Sequence, residues 1–368
     1  MRFYKGELFS GPGGIAKGAQ EAKVTQPETG ELFHIEHRWS NDLDLDTCQT
    51  FARNICGRDF DSTVHPGPVQ ELPLGNKDEL PPIDCLTFGF PCNDYSQVGK
   101  KKGLEGDYGP LYTYGIKAIK AYKPIFFVAE NVGGLKSANE GKAFVQILTD
   151  LEECGYYLTP HLYKFEEYGV PQARHRIIIV GIRNDYYEKG YQFKVPAPTT
   201  KHNYVTAGEA LTVPYEDDVL NHELPRHSEK VIQMLDHIEE GGNAWSPNLP
   251  EHLRLKVKGA RLSSIYKRLD RNRPAYTVTG SGGGGTHMYH WQENRALTNR
   301  ERARLQTFQD DFEFCGRRES VRKQIGMAVP VEGARIIFAA ILKTFAGVAY
   351  DQIEPDPKVQ LKNLQHSK

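Results

Sequence analysis

The sequence contains no uninterrupted apolar run of membrane-spanning length, and its first residues lack the order of a signal peptide. A protein with no membrane association, working in a cytoplasm, is therefore expected. Excess charge of either sign is also absent: 46 Lys and Arg stand against 47 Asp and Glu, for a net charge of −1. Cysteine is sparse, and the six present (Cys48, Cys56, Cys85, Cys92, Cys154 and Cys315) form no CxxC pair. That argues against a zinc site or a disulfide framework, so reduced thiols and no metal are expected. Internal repeats are missing too. The 368 residues suffice for one large domain, or a large one with a smaller companion.

What is present begins with alternating strands and helices. Glu7–Phe9 reads as a short strand, followed by a glycine turn and a helix from about Ile15 to Ala22. Leu32–Trp39 and Ile83–Phe88 are further strands, the second closing on Gly89-Phe90-Pro91-Cys92. A helix is expected from about Tyr112 to Tyr122, then a strand at Ile125–Ala129 that delivers Glu130-Asn131-Val132. Apolar residues at Phe144, Ile147, Leu148 and Leu151 have helical spacing, and Arg176–Ile182 is another strand. This alternation, with continuously apolar strands, implies an α/β fold: a doubly wound, mostly parallel sheet with helices on both faces.

From about Pro196 the character changes, with proline, glycine and histidine frequent and helical periodicity faint. Between His252 and Arg273 eight basic residues stand against the single acid Asp270, interleaved with Leu262, Ile265, Tyr266 and Leu269. Taken alone, such a run is a solvated face; with the interleaving it suits a surface that tracks phosphates. Thr279–Thr286 is a glycine-rich loop. Thr298 and Glu301 then form a capping box for a helix through Phe308, and a final helix spans about Val331 to Phe345. The expected domains are 1–195, an inserted 196–290, a return over 291–350, and a polar, loose tail over 351–368.

A cysteine just beyond a central strand stands where open α/β sheets place their chemistry. Cys92 alone is more often a small buried hydrophobe, but its setting ahead of a polar, glycine-rich loop favours a nucleophile. Glu130 alone suits a cap or ion pair, although a charge directly after five apolar residues packs awkwardly. Arg174 and Arg176 are either solvent-facing or a guanidinium clamp for a carbonyl or phosphate. The Phe9-Ser10-Gly11-Pro12-Gly13-Gly14 turn is as readily a packing turn as a ligand cradle. It lacks the dinucleotide spacing, and no phosphate-cradling lysine follows. A nucleoside cofactor without a pyrophosphate fits better, with Asp42 placed to accept from ribose hydroxyls.

These segments, in order, resemble the C5-cytosine-specific DNA methyltransferase family of the bacterial modification type. The resemblance runs through Phe9–Gly14, Gly89–Cys92, Glu130–Val132, Gln172–Arg176, Arg295–Phe312 and Gln324–Pro330, and covers about residues 7 to 345. Departures include Asn93 in place of glutamine, Met327 in place of asparagine, and Pro68-Val69 where an acid commonly meets adenine.

The resemblance implies the S-adenosylmethionine-dependent methyltransferase fold with a smaller target-recognition domain inserted. It implies methyl transfer from S-adenosyl-L-methionine to C5 of a cytosine flipped out of double-stranded DNA, by way of a covalent bond from Cys92 to C6. Glu130 would hold N3 and the exocyclic amine, and Arg176, helped by Arg174, the O2 oxygen. Phe9, Ser10, Gly11, Gly13, Gly14, Asp42, Leu43, Pro91, Leu111, Met327 and Val329 would line the cofactor site. Ser96, Lys100, Lys101, Arg268, Arg271, Arg273, Thr277 and Gly283 would meet DNA. A monomer is expected, with a cognate restriction endonuclease as a functional partner outside any stable complex. Three alternatives remain at this level: a tRNA-directed enzyme sharing the motifs, a silent DNA-binding regulator, and a nicotinamide-dependent oxidoreductase.

Overall fold

The computed structural model describes residues 1–57, 63–90, 111–135, 141–216, 218–256 and 262–365. Elements follow in chain order as β1 Arg2–Leu8, α1 Gly14–Glu21, β2 Lys23–Thr25, β3 Leu32–Asp42, α2 Leu45–Phe51, β4 Val64–Pro66 and β5 Cys85–Gly89. Then come α3 Tyr112–Tyr122, β6 Phe126–Val132, α4 Lys142–Glu152, β7 Tyr156–Lys164, β8 Gln172–Ala173, β9 His175–Arg183, α5 Asn184–Glu188 and β10 Val195–Pro196. The remainder is α6 Ala207–Leu211, α7 Glu229–Asp236, β11 Ala275–Tyr276, α8 Asn299–Leu305, α9 Arg318–Met327, α10 Val331–Ala346, β12 Gln352–Ile353 and α11 Leu361–Gln365.

Two compact units result, one from 1–164, 175–198 and 333–368, the other from 165–174 and 199–332. In the first, an eight-stranded sheet has the order β2-β3-β1-β5-β6-β9-β7, with β4 also pairing on β3. The pairs β1–β3, β1–β5, β5–β6 and β3–β4 are parallel, whereas β2 and β9 run antiparallel to their neighbours. The mixed, mostly parallel sheet agrees with the expectation. The order leaves β1 in one direction toward β3 and resumes on its other side at β5, a switch point of the kind that opens a crevice at carboxyl strand ends.

One face of this sheet is covered by α3 and α4, which contribute Ala118, Ile119, Phe144, Ile147, Leu148 and Leu151 to a core with Leu86, Phe88 and Phe127. Each of the Ile, Leu and Phe side chains contributes roughly 1.5–3 kcal/mol by leaving water. The other face carries Ala16 of α1 and Cys48 and Phe51 of α2 in a second cluster. There Phe345 of α10 packs on Phe3 and Phe126. The stretch Arg318–Ala346 is the one among the described residues long and apolar enough to span a bilayer, yet its apolar window is 72% buried. Pro330 separates its two helices.

The segment after Tyr350 is not loose. β12 pairs with β10, Val359 is fully buried, and the Gln360 amide donates to the Pro160 carbonyl at 2.6 Å. Its anchors are single residues spaced among polar ones, which composition alone hides.

The second unit is poor in regular structure. One of its cores gathers Trp291, Leu305, Phe308, Phe312 and Phe314, and another gathers Leu235, Leu249 and Tyr289. Residues 291–332, expected to have left the insert at 290, pack inside this unit, because Phe308, Phe312 and Val321 fill its first core. The sequence-read capping box is present: the Glu301 N–H donates to Thr298 Oγ1 at 3.1 Å and the Thr298 N–H to Glu301 Oε2 at 2.7 Å.

Candidate active site

In the first unit the carboxyl ends of β1, β5 and β6 share one edge, with β1 and β6 about 10 Å apart across β5. The turn after β1 is held by its neighbour β3. The Ser10 N–H donates to the Asn41 carbonyl at 3.1 Å, and the Gly11 N–H to Asp42 Oδ2 at 2.8 Å. Asp42 Oδ1 also accepts from the Asp44 N–H at 3.1 Å. The Asp42 carboxylate thus positions the turn backbone, a different use from the expected ribose contact.

The turn needs its glycines. Gly11 and Gly13 lie at φ 56° and 100°, and a Cβ on Gly13 would sit 3.0 Å from Ile55 Cγ1. Phe9 is held at φ 54°, an uncommon conformation for a side chain of its size. Helix α1 starts at Gly14 with no side-chain cap, so its first N–H groups lack a side-chain acceptor, as at helix starts that take anions or dipoles. Ser10 is buried, and its Oγ has no hydrogen-bond partner among the described residues. Leu43, next to Asp42, is 71% exposed. An unpaired hydroxyl, uncapped N–H groups and a bare apolar side chain fit a small ligand with both polar and flat apolar parts.

Across the same edge, Glu130 lies opposite Gly89 on β5 and Ile178 on β9. Its Oε1 meets Arg176 Nε at 2.8 Å, with both side chains largely buried. Arg176 Nη1 donates to the His175 carbonyl at 2.8 Å, which fixes the guanidinium plane. Sequence reading missed Asn131. Its Nδ2 donates to the Phe90 carbonyl at 3.1 Å while its Oδ1 accepts from the Val132 N–H at 2.8 Å. The chain leaving β5 is therefore tied to β6 one residue before Pro91. Cys92, Pro91, Asn93, Ser96, Lys100 and Lys101 lie outside the described residues. Leu111, half-buried, directly precedes α3.

A second feature that sequence reading missed is the Lys5–Glu7 ion pair on β1, fully buried between strand neighbours. Burial pushes the Glu7 carboxyl up despite the opposing Lys5 charge, and burial followed by Lys5 holds His37 well below its usual range. Alternate charged residues on a strand read as a solvent face, and only the packing of α2 over β3 reverses that.

In the second unit several expected contact residues serve the fold. Arg174 is 1% exposed and donates to the carbonyls of Val278 at 2.9 Å and Gly326 at 3.0 Å, so it clamps its own unit and is not a free guanidinium for substrate. Gly326 fits there because a Cβ would fall 1.9 Å from the Gly280 nitrogen. Arg268 is 4% exposed, and its guanidinium donates to the carbonyls of Trp291, Leu235 and Gln292 and to Asn294 Oδ1. Thr277 Oγ1 donates to the Ala173 carbonyl at 2.6 Å. Arg174 and Arg268 are corrected from ligand contacts to structural links, whereas Thr277 is half-buried and only anchored. Arg268→Ala is expected to lower the unfolding free energy by more than about 3 kcal/mol, since it strands several buried acceptors; chemical denaturation measures this.

The others remain at the surface. Arg271 pairs with both oxygens of Glu240, and Arg273 is 80% exposed, 3.4 Å from Asp270. Gly283 lies in an exposed turn closed by Thr286 Oγ1. Met327 is half exposed at the end of α9, and Val329 is buried.

The family model described as C-5 cytosine-specific DNA methylase matches residues 3–343. A Type II methyltransferase of Brevibacillus brevis, M.BbvI, is 62% identical over 96% of this chain and 94% of its own length. M.NgoFVII of Neisseria gonorrhoeae, also a Type II methyltransferase, is 41% identical over 96% of this chain and 89% of its own. The crystal structure of the S. pombe Dnmt2 methyltransferase superposes with a TM-score of 0.60 at 14% identity, over 93% of this chain and 98% of that one, a likeness of fold.

Proposed function

Because the chain belongs to the C-5 cytosine-specific DNA methylase family, we propose that it methylates C5 of a flipped cytosine in duplex DNA through a covalent Cys92–C6 bond. The observation that carries this reading is the Glu130–Arg176 pair, set on the strand end beside the one that leads into Pro91-Cys92.

Cytosine C5 is too weak a nucleophile to take a methyl group unaided. Addition of the Cys92 thiolate at C6 breaks the ring conjugation and makes C5 an enamine carbon. Glu130 meets N3 and the exocyclic amine and supplies a proton as negative charge grows on the ring. Arg176 holds O2, which favours a ring presenting an acceptor there. Once C5 is methylated, loss of its proton to a base restores the double bond and expels the Cys92 sulfur. A stacked base cannot reach a thiol in a crevice, so the nucleotide leaves the helix first.

S-adenosylmethionine supplies the electrophilic methyl, carried on a sulfonium. Phe9–Gly14 and Leu43 would hold it, Ser10 Oγ would give a polar contact, and Asp42 keeps the turn in shape. Gly13→Ala forces a side chain into a left-handed conformation against Ile55, a strain of about 1–3 kcal/mol. Its Kd for S-adenosylmethionine, measured by calorimetry, is expected to rise about tenfold or more.

The second unit reads the DNA, with Arg271, Arg273 and the Gly283 turn at its surface, and Lys100 and Lys101, outside the described residues, meet phosphates. Arg273→Ala is expected to leave stability within about 0.5 kcal/mol and to reduce the salt dependence of DNA binding by about one counterion. The relatives' names support a modification role, in which methylation by a monomer shields host DNA from a cognate restriction endonuclease. Bisulfite sequencing of DNA from cells expressing the protein tests the reading. Protected cytosines in one recurring sequence support it; unmodified DNA, or modification confined to tRNA, defeats it.

A further inference from the structure

Within the second unit a cavity of about 340 Å³ lies between α8, α9 and the segment around His227. Arg226, Arg302, Arg318 and Arg322 line it, against the acids Glu223 and Glu319, which stand exposed at its edge. Arg302 is 1% exposed, and its Nη2 has no hydrogen-bond partner among the described residues; its Nη1 reaches only the Thr279 carbonyl, at 3.5 Å. The Nε of Arg322 is likewise buried without a partner. No carboxylate among the described residues lies within ion-pair distance of either. Burial lowers the Arg302 guanidinium to about 10, with Arg322 adding repulsion, so it still carries its charge at neutral pH.

A buried guanidinium at Arg302 and a buried, unused Nε–H on the half-exposed Arg322 cost stability unless an anion joins them. The Gly282 backbone packs closely beside these groups: a Cβ there would lie 3.2 Å from Arg322 Nε and 3.1 Å from His287 Nδ1. We infer that this cavity binds a phosphate group, and that the phosphate belongs to the DNA backbone. A neutral base edge would accept hydrogen bonds but leave the paired positive charge uncompensated, whereas a phosphodiester answers both. The inference rests on the DNA-directed reading above and adds to it an interior contact that fixes where the duplex sits. Arg302 is not among the residues that the resemblance pointed to as DNA contacts.

The test uses the full chain, with Arg322→Gln as the main variant because that side chain is half-exposed, and Arg302→Lys as a second that keeps a charge. Affinity for a duplex of arbitrary sequence is measured across salt concentrations, and inorganic phosphate is titrated while the His287 imidazole resonance is followed, assigned through His287→Gln. Expected are a fall in affinity of about tenfold or more for Arg322→Gln and a salt slope reduced by about 0.9. In the wild type, phosphate should move the His287 signal upfield or downfield saturably, and Arg322→Gln should abolish this. Phosphate binding with an unchanged salt slope overturns the DNA source; no phosphate binding and no slope change overturn the site. A loss confined to one duplex sequence, with the slope intact, overturns phosphate in favour of base reading. If the wild type binds no duplex, the function proposed above fails, and the phosphate titration alone judges the cavity.

Discussion

Cys92→Ser is expected to lower methyl transfer to DNA by on the order of 10⁴-fold or more, the scale of losing a nucleophile. A serine hydroxyl keeps the size of the side chain but is not appreciably ionised, so it does not add to C6, and C5 never becomes an enamine carbon. Duplex binding and S-adenosylmethionine binding should stay within a few-fold of the wild type, because neither the glycine turn nor the second unit changes. Radiolabelled methyl transfer together with gel-shift binding measures both. Activity within tenfold of the wild type would mean that the thiol is dispensable, and that Cys92 is only the small hydrophobe its residue type allows.

Glu130→Gln carries the next largest effect. General acid assistance is worth about 10²–10⁴-fold, and turnover should fall by that factor. The amide also leaves Arg176 without its carboxylate in a largely buried setting, where ion pairing matters more than at a surface. Stability should therefore drop as well, which thermal unfolding reports. The two consequences are separable. Arg176→Lys also breaks the 2.8 Å contact but keeps the acid, so it should weaken substrate binding more than it slows turnover. Equal losses of turnover in both variants, in proportion to stability, would make the pair a structural brace.

The strand–helix alternation was legible because each central strand is continuously apolar and each helix carries its apolar residues at three and four. Helix α3 begins and ends where Tyr112, Tyr122 and Pro124 suggest. The Thr298–Glu301 capping box needs no tertiary information, and it is present. Strand β7 was harder, since Pro160 sits inside it and its partners on β9 come later in the chain. Charged side chains were misjudged for a related reason. The acceptors of Arg268 and Arg174 are backbone carbonyls far along the chain, and a carbonyl has no sequence signature. An arginine in a basic run therefore looks like a surface group until the fold encloses it. Lys5 and Glu7 mislead in the same way, as does the C-terminal segment, whose buried Val359 stands alone among polar neighbours. Glu130 stood out because a charge directly after five apolar residues packs awkwardly, whereas Arg176 and the glycine turn stood out only through the family motifs they complete.

The central claim is tested most directly with a duplex in which the target cytosine carries fluorine at C5. Fluorine cannot leave as a cation, so the final elimination stalls after methylation. With S-adenosylmethionine present, the account predicts a denaturant-resistant protein–DNA adduct whose peptide mass spectrum places the bond on Cys92. An active protein that forms no adduct on that duplex, or one bonded through another residue, would contradict it.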